Sequence, residues 1–256
     1  MNRAAYLSRI GVNESDLATD EATLRLLQRQ HLLTIPFENL DIHWKRPIVL
    51  DTDRFYRKLV EEKRGGFCYE LNGLFNELLL DLGYTTRLVS ARVFNPAKGE
   101  FGPEFDHMIL VVALGDAEYI ADVGFGDFIA EPILFAPGVE QTDREGTFII
   151  EQEADGSFKI KKKTGDGWVP ECMFGDQARK LYEFAEMCDF QQYSPDSHFL
   201  KGKICSLMTE SGRKTLTDKN FILTTNGKKT ETPVRTEGEF DRILNDEFRI
   251  SKPIFV

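Results

Sequence analysis

The sequence predicts an α+β protein in three parts: a helical first third, a strand-rich middle that curls into a small barrel, and a mixed last third. Three observations carry this. Up to residue 84, apolar residues recur at helical spacing. From Tyr84 the pattern shifts to short β-rich runs separated by Gly, Asp, Asn and Pro. From about residue 173, helix-like and strand-like runs alternate. The chain has 256 residues, 41% apolar and 29% charged, with 20 Gly, 10 Pro and 4 Cys. This is the composition of a soluble globular protein, and it excludes a disordered, collagen-like or disulfide-dense chain. The formal net charge of −10 opposes general binding to nucleic acid or to an anionic membrane.

The elements follow in order. Asp20 or Thr19 caps a helix that carries Leu24, Leu27 and His31 on one face and stops near Pro36. Asp51 or Thr52 starts another, with Phe55/Leu59 and Tyr56/Val60 at i, i+4. Arg64-Gly65-Gly66 is expected to end it through a left-handed glycine cap. A third helix follows at once, with Leu71, Leu74, Phe75, Leu78 and Leu82 facing the core and Gly83 closing it. TTRLVSARVF, HMILVVAL, AEYIADVGF, GTFIIEQE and SFKIKKK read as strands, and such a succession suggests a barrel or curled antiparallel sheet. GDQARKLYEFAEMCDFQQY reads as helical. KGKICSLMT, RKTLTD and FILTT-Asn226-Gly227-KKTETPV read as strands, the last two joined by an Asn-Gly hairpin turn. EGEFDRILNDEF is a final helix. No composition boundary is sharp, so the three parts are expected to share a core.

Cys68, Cys172, Cys188 and Cys205 form no C-x-x-C or C-x-x-H pattern, so no metal site is indicated. The first residues lack an apolar stretch of signal-peptide length, and no window is apolar enough to span a membrane. The expectation is a cytoplasmic protein with four free thiols.

Cys68 differs from the other three cysteines in its setting. It follows Arg64-Gly65-Gly66-Phe67 and opens the third helix. Unpaired amides and the positive helix end there favour a thiolate, so its pKa is expected below that of a free cysteine. The same amides suit an oxyanion. Residues 107–114 and 117–124 read as strands joined by Gly115-Asp116, a type II′ turn. If Leu114 pairs with Ala117, His107 and Asp122 are diagonal neighbours on one face. A three-residue loop would separate them. A thiol, an imidazole and an orienting carboxylate are the groups that nucleophilic acyl transfer needs. His31 reads as a core histidine, His43 and His198 as loop residues, and Asp106 as a weaker partner that points to the opposite strand face.

RGGFCYELN (64–72), DHMILVV (106–112) and ADVGFGD (121–127) closely resemble the three motifs of the arylamine N-acetyltransferases, the prokaryotic type included. IPFENLDI (35–42) and SPDSHF (194–199) match two further blocks of that family. The resemblance is specific from about residue 20 to 130. It implies a helical bundle (1–84) carrying the nucleophile, a β-barrel (85–190) carrying His and Asp, and an α/β lid (191–256), around a cysteine-protease-like Cys-His-Asp core. It implies ping-pong transfer of acetyl from acetyl-CoA, through a Cys68 thioester, to an aromatic amine or hydrazine, with O-acetylation of N-hydroxyarylamines as a variant. His107 maps onto the base and Asp122 onto its orienting acid. Phe125 and Phe199 map onto acceptor-pocket walls, and Gly124 and Gly126 onto room for the acceptor. Arg64, Gly65, Gly66 and Lys98 are candidates for the oxyanion or CoA, with Lys201 and Lys203 as further phosphate candidates. Arg64 has a rival reading as the partner of a carboxylate near the helix junction. Tyr69 stands where the family commonly has Phe. The biological role this implies is xenobiotic metabolism or a biosynthetic amide step. Two other functions share these residues: a different Cys-His-Asp thiol enzyme of transglutaminase type, and a non-catalytic binder of CoA or an aromatic ligand.

Overall fold

In the computed structural model, which describes residues 1–252, Asn2 caps α1 (Arg3–Arg9) and Asp20 caps α2 (Glu21–Thr34), each accepting a backbone N–H with its side chain. A short strand β1 (Phe37–Glu38) leads into α3 (Leu40–His43). Asp51 caps α4 (Thr52–Tyr56), which runs into a π-helical turn over Arg57–Glu61. The left-handed residue that ends this turn is Lys63, at φ 52°, rather than either glycine. Gly65 and Gly66 answer a packing need instead. A Cβ on Gly65 would collide with the Pro36 carbonyl, and one on Gly66 would stand 2.8 Å from Glu70 Oε2. The chain then enters α5 (Cys68–Asp81), closed by Gly83 at φ 88°.

Nine strands make one sheet. They are β2 (Thr85–Asn95), β3 (Glu100–Phe101), β4 (His107–Leu114), β5 (Ala117–Ala121), β6 (Ile133–Leu134), β7 (Gln141–Asp143), β8 (Gly146–Gln152), β9 (Phe158–Thr164) and β10 (Gly167–Phe174). The order is β6-β5-β4-β2-β10-β9-β8-β7, with β3 beside β2. Its two edges meet: Leu134 N donates to Gln141 Oε1 at 2.5 Å, and Gln141 Nε2 donates to the Leu134 carbonyl at 2.8 Å. One glutamine side chain thus closes the gap that a strand pair would fill. The sequence pattern misses β10 because Pro170 lies inside it, and a proline cannot donate to a ladder. The structure absorbs it at a register shift between Pro170 and Cys172.

Helix formation resumes later than the sequence suggests. A 3₁₀ turn covers Leu181–Phe184 and α6 spans Ala185–Tyr193, while Arg179 bridges to Leu88. The remaining strands are β11 (Ile204–Thr209), β12 (Gly212–Thr217), β13 (Asn220–Thr225) and β14 (Lys228–Pro233), followed by α7 (Glu237–Phe248). They form a second sheet in the order β1-β11-β12-β13-β14. Asn226 and Gly227 both take positive φ in the β13–β14 turn, the two-residue hairpin expected of Asn-Gly. No helix among the described residues is long and apolar enough to cross a membrane.

The pattern of β4 explains how helices and barrel join. HMILVVAL does not alternate apolar with polar, because both faces are buried. Met108, Leu110 and Val112 pack with Leu71, Leu74 and Phe75 of α5, while Ile109 and Val111 pack with Phe148, Ile150 and Ile160 inside the barrel. Each fully buried side chain of this size contributes about 1.5–3 kcal/mol of transfer free energy. A third cluster, around Leu40, Trp44, Cys205, Phe240 and Leu244, ties the C-terminal sheet to α3.

His31 is a core residue, fully buried, with its Nδ1 2.9 Å from the Tyr6 hydroxyl. Burial lowers its pKa to about 3, with the Arg9 charge adding to the shift. The unfolded chain therefore takes up a proton at His31 that the folded chain refuses. This stabilisation is present above the ordinary histidine pKa and is lost as pH falls from 6.5 toward about 3. Between pH 7 and pH 5 the loss from this group should be about 2 kcal/mol. Urea denaturation of wild type and His31→Leu at both pH values checks this: the variant should lose correspondingly less stability on acidification. An equal loss in both proteins would show that His31 is not the group.

Candidate active site

Cys68 is the first residue of α5, and the elements behind it are polar and buried. Phe67 precedes the helix in extended conformation, and the Glu70 carboxylate reaches back to its N–H at 3.1 Å. Glu70 is held by Lys58, whose Nζ lies 2.9 Å from both carboxylate oxygens and 2.9 Å from Asp41 Oδ2. Arg64 pairs with Glu38 and Asp41 and lies 4.7 Å from the Trp44 ring centroid. These five charged side chains are all buried. Pairing compensates a desolvation cost that single charges could not bear. Arg64 is therefore the partner of a carboxylate, and neither it nor Gly65 or Gly66 lines the cleft. The two glycines let the strand at Phe37 approach: Glu38 N donates to the Gly66 carbonyl at 2.8 Å, and Gly66 N to the Pro36 carbonyl at 3.3 Å. This close packing joins IPFENLDI to RGGFC.

The β4–β5 hairpin supplies the other two groups. Leu114 pairs with Ala117 and Leu110 with Ala121. Gly115 takes φ 60° in a two-residue turn, the register that keeps residues 107 and 122 on one face. β5 ends at Ala121, so Asp122 lies just beyond the ladder. His107 Nε2 and Asp122 Oδ2 are 2.6 Å apart, with both side chains buried. Asp122 Oδ1 accepts from Asn72 Nδ2 at 2.9 Å and from Gly124 N at 2.7 Å. With Nε2 engaged, Nδ1 is the ring nitrogen left for the thiol. Gly124 brings the loop after β5 against Cys68, since a Cβ there would stand 2.8 Å from the Cys68 Cα. Its lack of a side chain therefore makes room for α5, not for a ligand. Gly126 has open space around it, but its φ of 102° suits glycine alone.

Cys68, His107, Gly124, Phe125, Phe199 and Lys98 all line one cleft of about 1190 Å³, ample for a large ligand. The Phe125 ring meets the His107 ring edge-on, 4.9 Å between centroids, and lies 4.5 Å from Phe128. Phe199 stands against Phe37 and Phe67, each at 6.1 Å. Lys98 is exposed, 3.6 Å from Glu100. Lys203 is committed to Asp218 and Glu237, and Lys201 lines the cleft beside His198.

The electrostatics show that the helix start does not by itself favour a Cys68 thiolate. Burial pushes its pKa up, and the Asp106 and Asp122 carboxylates add to this, while the Tyr69 N–H pulls the other way. A helix start alone does not generate the thiolate here. A thiolate in this setting needs a cation formed beside it. Burial also raises the thiols of Cys172, Cys188 and Cys205.

The roles of four residues of the site escape the sequence reading. Asn72 donates to the Met108 carbonyl at 2.6 Å as well as to Asp122, and accepts from Val123 N at 2.8 Å. Gln28 Oε1 accepts from Asp122 N at 3.1 Å. Both are polar residues on apolar helix faces, at i+4 from Cys68 and from Leu24, and that misfit was the available signal. Tyr69 Oη donates to the Phe105 carbonyl at 2.7 Å, a bond that Phe could not make. Asp106 does not bond His107, but it lines the same cleft, because β4 starts one residue after it. Replacing Asn72 by Leu should cut kcat/KM about 100-fold through misplacement of Asp122 and His107. Steady-state kinetics beside a melting curve checks this. Full activity would show that Asp122 is held without Asn72.

A family profile described as N-acetyltransferase matches residues 20–253. An arylamine N-acetyltransferase of Gallus gallus, a pineal gland isozyme, is 30% identical over 98% of this chain and 94% of its own. The arylamine N-acetyltransferase of Escherichia coli K12 is 33% identical over 88% of this chain and 80% of its own. The solved arylamine N-acetyltransferase of Mycobacterium marinum, described in complex with CoA, superposes with a TM-score of 0.88 at 26% identity, covering 97% of this chain and 93% of that one. By profile, sequence and fold alike, the chain belongs to the arylamine N-acetyltransferase family.

Proposed function

We propose that this acetyltransferase works through Cys68, His107 and Asp122, moving acetyl from acetyl-CoA to the nitrogen of an aromatic amine or hydrazine. The observation that carries the reading is the buried 2.6 Å contact between His107 and Asp122, placed beside a helix-initiating cysteine by Gly124. His107 Nδ1 takes the Cys68 proton. The thiolate attacks the acetyl carbonyl carbon, and the first-turn amides of α5 are the donors for the oxyanion. The bond to the CoA sulfur breaks, and the imidazolium returns the proton to the leaving thiolate. That leaves acetyl on Cys68 as a thioester. The amine then attacks the same carbon, its proton passes to His107, and the Cys68 thiolate leaves and is reprotonated. Asp122 stays ionised throughout and holds the ring.

Phe125 and Phe199 are the acceptor's aromatic walls in this reading. The phosphates of CoA fall to the exposed cations of the cleft, Lys98, Lys201 and Lys219. Arg64 has no part in binding CoA. The M. marinum relative, described with CoA bound, supports CoA as the carrier. The chain divides as a bundle over 1–84, a barrel over 85–190 and a lid from 191 on, the expected end of which at 253–256 lies outside the described residues, and its place is the cytoplasm.

Incubation with acetyl-CoA alone should add about 42 Da, one acetyl group, to the peptide containing Cys68. Addition of an arylamine should remove it. Intact-protein and peptide mass spectrometry read both steps. Cys68→Ser should abolish transfer, because a hydroxyl holds its proton far more tightly than a thiol. Near-normal turnover in that variant, or turnover without the adduct, would refute the covalent route.

A further inference from the structure

Phe105 adopts φ 65°, a left-handed conformation that is uncommon and strained for a bulky residue. Three contacts hold it there. Tyr69 Oη donates to its carbonyl at 2.7 Å, Phe184 meets its ring edge-on at 5.1 Å, and the Arg179 guanidinium carbon lies 4.9 Å from its centroid. The turn directs the next residue, Asp106, into the cleft that holds Cys68, His107 and Phe125. Asp106 Oδ1 accepts from Gln191 Nε2 at 2.7 Å, and Gln191 is fixed in turn by the Ser197 hydroxyl at 2.9 Å. Gly102 leaves space for Oδ2, which any Cβ there would strike.

The titratable groups facing this carboxylate are His198 from the loop after α6 and His107 from β4, with the Val93 backbone as a further polar neighbour. Among the described residues, no lysine or arginine stands within ion-pairing distance of it. Of the cleft's other cations, Arg92 on β2 is turned to the Gly102 carbonyl at 2.8 Å, and Lys201 and Lys219 are exposed residues of the C-terminal part. Beside Cys68 and His107 the cleft therefore presents a carboxylate that no lysine or arginine neutralises.

We propose that Asp106 is a specificity-determining residue of the acceptor site, admitting neutral and cationic arylamines or hydrazines and turning away acceptors that carry a carboxylate. This rests on the acetyltransferase reading above. Like charges several ångströms apart in a partly desolvated cleft repel by more than thermal energy. A neutral or cationic group of the same shape escapes that repulsion.

The test compares kcat/KM at about pH 8 for 4-aminobenzoate and 4-aminobenzamide, after mass spectrometry has established acetyl loading of Cys68. That pH lies well above the ordinary carboxylate range, which leaves room for the upward push that burial gives Asp106. Wild type should favour the amide by at least about tenfold, although the amide's ring nitrogen is the weaker nucleophile. Asp106→Asn, which keeps an oxygen for Gln191, should reduce the preference about tenfold, and Asp106→Glu should retain it. A merely structural role would lower both rates together and leave their ratio unchanged. With the thioester formed, an unchanged ratio in Asp106→Asn, a wild-type preference for the benzoate, or no transfer to the amide overturns the proposal alone. Without the thioester, the acetyltransferase reading falls first.

Discussion

The site depends on the carboxylate of Asp122. One oxygen meets His107 Nε2, and the other accepts from Asn72 and from Gly124 N. Those bonds connect α5, the start of β4 and the loop after β5. A buried carboxylate would be costly alone. With three hydrogen-bond donors it becomes the point at which helices and barrel are locked in register. The backbone N–H of Asp122 is itself taken by Gln28 of α2, so the first helical layer is tied to the same residue. Cys68, His107 and Asp122 thus sit at the start of α5, at the start of β4 and directly after β5.

Charge balance explains the chemistry that follows. Two carboxylates, Asp106 and Asp122, act on a buried thiol, and that environment resists a lone thiolate. In the proposed mechanism the negative charge exists only together with an imidazolium. The thiol becomes nucleophilic in this buried site only by giving its proton to His107. The paired network of Glu38, Asp41, Lys58, Arg64 and Glu70 lies behind the first turn of α5 and fixes it. It serves geometry, because its charges are spent on one another.

Much of this was legible in the sequence, for identifiable reasons. The apolar stripe from Leu71 to Leu82 marked α5, and Gly115-Asp116 specified a turn whose register brings His107 and Asp122 together. The Asn226-Gly227 hairpin and the last helix were equally plain, since local chemistry decides them. β10 was hidden by Pro170, which a bulge accommodates only in the folded sheet. The roles of Gly65, Gly66 and Gly124 were hidden too. Their conformations are ordinary, and the need for glycine comes from Pro36, Glu70 and Cys68 pressing against them. The Arg64–Glu38 pair joins residues 26 apart, a distance at which pairing cannot be read from spacing. Asn72 and Gln28 were visible as polar residues on apolar faces, but their shared target appears only when β4 and β5 pack on the helices.

The central claim is that the Cys68 thiolate forms only as an ion pair with His107. The most direct measurement is the rate of Cys68 alkylation by iodoacetamide across pH, read by peptide mass spectrometry in wild type and in His107→Gln. The account predicts fast alkylation of wild type well below the ordinary thiol range, and a profile moved upward beyond that range in the variant. A wild-type profile with an ordinary thiol midpoint, unchanged by the substitution, would contradict it.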